Sequence, residues 1–145
     1  MNTKTWHWTL RDEIPSYLAS VAVSDYATLL DTVQGINGMV PIELAARAPD
    51  TTNLKNLFVH LKDAFHIQEN HWGPYEWERI GFCIVPFSAG AMEHATNISF
   101  MNLFLTVLKD EAEVTMAHEL SHHWFGDLVT CKTADEMAKR RMGSL

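Results

Sequence analysis

The chain has 145 residues, 47% of them hydrophobic and 20% charged, a balance long and apolar enough to bury a core. Its formal charge of -7 excludes a nucleic-acid-binding surface, because binding to phosphates needs clustered Lys and Arg. The longest apolar runs fall well short of the roughly 20 residues of a membrane-spanning helix, and the two cysteines, Cys83 and Cys131, form no CxxC pair and no disulfide framework.

The residues from Met1 to His7 hold no continuous apolar core of a secretory leader, and the compartment is left open. Trp6 and Trp8 alternate with polar neighbours, and Tyr17, Ala19, Val21 and Val23 repeat at period 2, which predicts β-structure in the first 30 residues. A second strand is predicted around Val40 to Leu44, confined by Pro41 to an edge or a strand start, after a loop holding Gly35 and Gly38. Asp50 or Thr51 can then cap a helix that places Leu54, Leu57, Phe58, Leu61 and Phe65 on one face and stops at Gly73-Pro74. Ile80 to Phe87 predicts a buried strand, and Asn97 to Met101 another. From Lys109 to Phe125 helical spacing returns, with Val114, Ala117, Ser121 and Trp124 on one face and Gly126 just past the end. The closing Lys139-Arg140-Arg141-Met142-Gly143-Ser144-Leu145 has no periodicity and concentrates positive charge in an acidic chain.

The last helix contains His118-Glu119-Leu120-Ser121-His122. At 3.6 residues per turn, His118 and His122 project from one face and can reach one Zn²⁺. Glu119, one step round, can take a proton from water that the metal has made acidic. His123 points about 100° away from His122 and reads as a supporting or surface residue rather than a ligand. Upstream, Gly90-Ala91-Met92-Glu93-His94 occupies a loop between two predicted strands, where the Glu93 carboxylate can face the cleft and bind an α-ammonium group.

Gly90-Ala91-Met92-Glu93, then His118-Glu119-Leu120-Ser121-His122, then Trp124-Phe125-Gly126-Asp127-Leu128-Val129-Thr130 together resemble the aminopeptidase N-like family of zinc metallopeptidases. More loosely, Pro74-Tyr75 and the strand Ile80 to Phe87 resemble that family's approach to the Gly-x-Met-Glu loop. The resemblance implies an α+β fold. Its core would be the N-terminal part of a thermolysin-like catalytic domain, a mixed sheet with the HExxH helix, preceded by the last strands of a β-sandwich domain. Residues 1–45 would be the end of that β-domain, 46–137 the catalytic part, and 138–145 an atypical tail foreign to the rest. The implied activity is removal of single N-terminal residues from peptides with a free N-terminus. Zn²⁺ would be held by His118 and His122, with Glu119 as general base, Glu93 on the substrate amine, and Gly90, Ala91 and Met92 along the peptide-binding edge.

The sequence departs from that family in three ways. His94 stands where the exopeptidase motif ends in Asn. Arg141 stands 19 positions after His122, where the resemblance implies the third metal ligand, a Glu; a permanently cationic side chain cannot bind zinc, and Asp135 and Glu136 have the wrong spacing. The Tyr that would stabilise the oxyanion has no counterpart in the chain. The chain is therefore expected to be a fragment with an incomplete zinc site, inactive or weakly active alone, and to self-associate through apolar surface that neighbours would otherwise cover. Two other readings stay open: a zinc endopeptidase of another HExxH family, and a non-catalytic peptidase-like module that binds peptides.

Overall fold

Ile80–Val85 is a strand buried along its whole length, which only a central position in a sheet allows. The computed structural model describes residues 3–130, and in it this strand, β3, is the middle of a five-stranded mixed sheet. The neighbours are β1 (Tyr26–Gly35), β2 (Gly38–Arg47), β4 (Ala91–Met92) and β5 (Ile98–Met101), in the spatial order β1-β2-β3-β5-β4. β1 and β2 form an antiparallel hairpin from Tyr26↔Arg47 to Gly35↔Gly38. β2 lies parallel to β3, β3 parallel to β5, and β4 runs antiparallel at the edge with Ala91↔Phe100 and Met92↔Ser99. The boundary expected near residue 45 falls inside β2, which hydrogen-bonds to β1 on one side and β3 on the other.

Period-2 burial is seen where a partner strand exists. In β2, Val40, Ile42, Leu44 and Ala46 are buried, while Met39, Pro41 and Arg47 face solvent. Residues 3–25, by contrast, form no strand: they are extended coil with one 3₁₀ turn at Ser16–Leu18, and Trp6, Trp8, Val21 and Val23 are exposed. Alternation there has no ladder to pair with. Leu18 is the residue buried instead, and its carbonyl accepts the Ala95 N–H at 3.0 Å.

The helix expected between residues 51 and 72 is two helices, α1 (Thr51–Leu57) and α2 (Leu61–Trp72). The apolar face crosses the break unbroken, so Leu54, Phe58, Leu61 and Phe65 are all buried. Phe58 meets Phe82 of β3 with ring centroids 4.6 Å apart, and Phe100 of β5 meets Phe104 at 4.5 Å, which forms the aromatic centre of the core. On α2, the buried Glu69 accepts the N–H groups of Ile36 (3.0 Å) and Tyr75 (3.1 Å), tying the hairpin turn to the segment entering β3.

The third helix, α3 (Lys109–His122), carries Asp110 and Glu111 in its first turn, where they complement the helix dipole. Its buried stripe is Ala112, Met116, Glu119 and Leu120. The expected stripe through Val114, Ala117, Ser121 and Trp124 is corrected in part: Trp124 is buried, but Val114 is 72% exposed. Both sets have helical spacing, and the fold selects the one that faces the sheet. The tail after Ala138, with Arg141, and the carboxylates Asp135 and Glu136 lie outside the described residues.

Candidate metal centre

His118 and His122 sit one turn apart on α3, with Nε2 atoms 3.1 Å apart and rings at 90° to each other. Donors at about 2.0–2.1 Å from a tetrahedral zinc are separated by roughly this distance. The His122 ring is held from behind, because its Nδ1–H donates to the Phe125 carbonyl at 3.1 Å. A carbonyl can only accept, so the proton is on Nδ1 and Nε2 presents a lone pair. Two facing nitrogens at this separation need a proton or a cation between them. The described residues thus fit a cation on these two imidazoles.

Phe125 offers that carbonyl because the chain has left the helix there, with φ/ψ of -124°/90° at Phe125 and 151°/-47° at Gly126. The positive φ favours glycine, and a Cβ at position 126 would come 2.8 Å from His122 Nδ1. Burial, and then the neighbouring His122, lower the pKa of His118, which favours the neutral form a metal requires.

Glu119 is 6% exposed, and its Oε2 has no hydrogen-bond partner among the described residues. Burial first and the charge of Glu93 second push its pKa up to about 7. Glu93 follows β4, and one donor atom each from Glu93, Glu119 and His122 lie within 4.8 Å of one another. Gly90, Ala91 and Met92 lie beside this cluster, at the margin of the sheet that no other strand covers among the described residues, anchored by Met101 N–H to Gly90 O at 3.2 Å. His94 turns towards the sheet, its Nδ1 3.0 Å from Ser99 Oγ. The loop can lie this close because β3 has a glycine: a Cβ at Gly81 would be 2.2 Å from the Thr96 carbonyl oxygen.

Three supporting residues, Tyr75, Trp77 and Asp127, were not identified from the sequence, and His123 was left between a supporting and a surface role. Tyr75 Oη lies 2.7 Å from His123 Nδ1 and donates to the Arg79 carbonyl at 2.9 Å, while Trp77 Nε1–H donates to the His123 carbonyl at 2.7 Å. His123 is thus buried and supporting, not at the surface. Asp127, also buried, places Oδ2 3.8 Å from His123 Nε2, and none of these facing atoms has a hydrogen-bond partner among the described residues. Tyr75 and His123 are 48 positions apart, so no local pattern announces the pair.

Comparison with known proteins places these features in context. The Peptidase family M1 domain matches residues 57–138, more than half of the chain. The Tricorn protease-interacting factor F2 of Thermoplasma volcanium is 32% identical over 123 residues, covering 79% of this chain and 14% of that protein. Aminopeptidase N of Streptomyces lividans is 29% identical over 135 residues, covering 86% of this chain and 16% of that protein. The chain therefore spans about one seventh of the length of these curated relatives. A crystal structure of Legionella pneumophila aminopeptidase A in complex with aspartic acid shares the fold, with a TM-score of 0.67 at 23% identity over 74% of this chain and 14% of that one.

Proposed function

The chain belongs to peptidase family M1, and on that premise we propose that it carries the metal-binding and amine-recognising part of a zinc aminopeptidase. The observation that carries this reading is the pair of imidazole Nε2 atoms 3.1 Å apart, with the buried Glu119 between them in sequence and Glu93 beside them. His118 and His122 would hold Zn²⁺, which when bound supplies a Lewis acid for the scissile carbonyl and lowers the pKa of water.

Glu119 is the general base. Its pKa of about 7 lets it take a proton from the attacking water near neutral pH and return it to the leaving amine. Glu93 pairs with the free α-ammonium of the substrate. An acylated N-terminus would leave that carboxylate unpaired in a partly desolvated cleft, which selects for exopeptidase cleavage. Gly90, Ala91 and Met92 offer the extended substrate backbone a strand edge that no other strand covers among the described residues, so that the peptide adds to the sheet next to β4. With Arg141 at the position the third ligand would take, the isolated 145-residue chain is inactive or weakly active.

The test is hydrolysis of aminoacyl-nitroanilides and of peptides with free or acetylated N-termini, with zinc present. The isolated chain is expected to turn over little or nothing. A longer protein containing it should cleave only free N-termini, and Glu119→Gln should cost at least about 10²-fold in rate. Efficient cleavage of acetylated peptides would overturn the exopeptidase reading. Robust turnover by the isolated chain, abolished by Glu119→Gln, would overturn its inactivity.

A further inference from the structure

Two imidazoles leave a cation site short of protein donors, since catalytic zinc ordinarily takes three. The described residues place a further donor within reach. Glu93, Glu119 and His122 each contribute an atom to a cluster spanning at most 4.8 Å, and His118 Nε2 adjoins it through His122. Independently, Glu119 is more than nine-tenths buried and its Oε2 has no partner among the described residues. Two carboxylates and the His122 imidazole therefore converge, with His118 against His122, and no Lys or Arg among the described residues is paired with them.

We propose that Glu93 is the third protein donor of this chain's divalent-cation site, completing the set His118, His122 and Glu93. Glu119 is the weaker candidate for that place, because it lies about 100° round the helix from His118 and is fixed by burial. Glu93 is only half-buried and sits on a loop after a two-residue strand. Zinc donors sit roughly 3.3 Å apart in tetrahedral geometry, so Glu93, within 4.8 Å of His122, would need a side-chain rotation to take a ligand position. The loop backbone stays where Gly81 and the Met101–Gly90 hydrogen bond hold it.

The proposal rests on His118 and His122 being ligands, and it gives Glu93 a second part. The same carboxylate cannot ligate the cation and pair fully with a substrate ammonium. In the peptide-free chain it serves the cation, and an incoming amine must draw it away.

The experiment is a Co²⁺ titration of the chelator-stripped 145-residue chain, following the visible d–d absorption and competition with a chromophoric chelator. Wild type, Glu93→Gln, Glu93→Ala, Glu119→Gln and His122→Ala are compared, with circular dichroism as the check on folding. Both Glu93 variants are expected to bind at least about tenfold more weakly and to show a weaker d–d band. Added acetate should restore that band in Glu93→Ala, and Glu119→Gln should keep the wild-type band. If the Glu93 variants bind as wild type does while His122→Ala loses the ion, Glu93 is no ligand and this proposal alone fails. If His122→Ala binds as wild type does, the ligand assignment beneath it fails as well.

Discussion

Tyr75 donates its only hydroxyl proton to the Arg79 carbonyl, so the 2.7 Å contact with His123 must be supplied by His123 Nδ1–H. That leaves His123 Nε2 as a lone pair facing Asp127. A neutral carboxyl group can offer a lone pair its proton, whereas an ionised one can only repel it. The shifts follow the same logic. Burial first, and the charges of Glu93 and Glu119 next, push Asp127 up to about 8, while burial holds His123 down to about 3. A raised carboxyl pKa contributes stability that is complete below its unfolded value and lost as pH rises through the folded one. His123 acts in the opposite sense, but only below its ordinary value of about 6.5, and Glu119, half-ionised at about 7, adds to the fall in the same sense as Asp127 around that pH. Between about 7 and 8 Asp127 supplies the larger part of the slope and Glu119 the rest. Thermal unfolding of the chelator-treated chain should show stability falling across that window, and Asp127→Asn should flatten the fall. Parallel curves for the two proteins would mean that Asp127 is already ionised.

Among the elements, β3 and the loop that follows β4 are fitted to each other at one atom pair. Gly81→Ala would place a methyl group 2.2 Å from the Thr96 carbonyl oxygen, a backbone atom that cannot rotate away. The expected cost is about 1–3 kcal/mol of stability, with a weaker cation affinity because the loop carries Glu93. Chemical denaturation and the cobalt titration measure the two effects, and an alanine variant with the wild-type midpoint would contradict the close fit. Local spacing made α3 and its two imidazoles legible in the sequence, because i and i+4 share a helix face whatever surrounds them. β2, β3 and β5 were legible as apolar runs with turn residues around them. What the sequence hid depends on partners far along the chain. Residues 17–23 have a strand's alternation without a strand beside them. Val114 and Met116 compete for the core on equal helical terms until the sheet decides. Phe58 continues the apolar face while the backbone breaks between α1 and α2, so periodicity reads one helix where there are two. The order of strands, which brings Glu93 to α3, follows from parallel pairings that no neighbouring residues encode.

For the molecule as a whole, apolar side chains remain at the surface in numbers that favour association, among them Trp6, Trp8, Leu30, Ile67 and Val114. Self-association is expected to appear in light scattering as concentration rises, and the two margins of the sheet differ in what they offer it. β4 has two residues, too few to template another sheet. β1 has ten, with Leu30 79% exposed, and among the described residues no strand covers its outer side. Leu30→Lys should therefore lower the scattered mass, and an unchanged mass would exclude this margin as the route. Because β1 and β4 bound opposite sides of the sheet, copies joined along β1 would leave each α3 and its loop facing solvent. Growth along β1 would then be spatially insulated from α3, and an assembly of this chain would multiply its paired-imidazole clusters without blocking them.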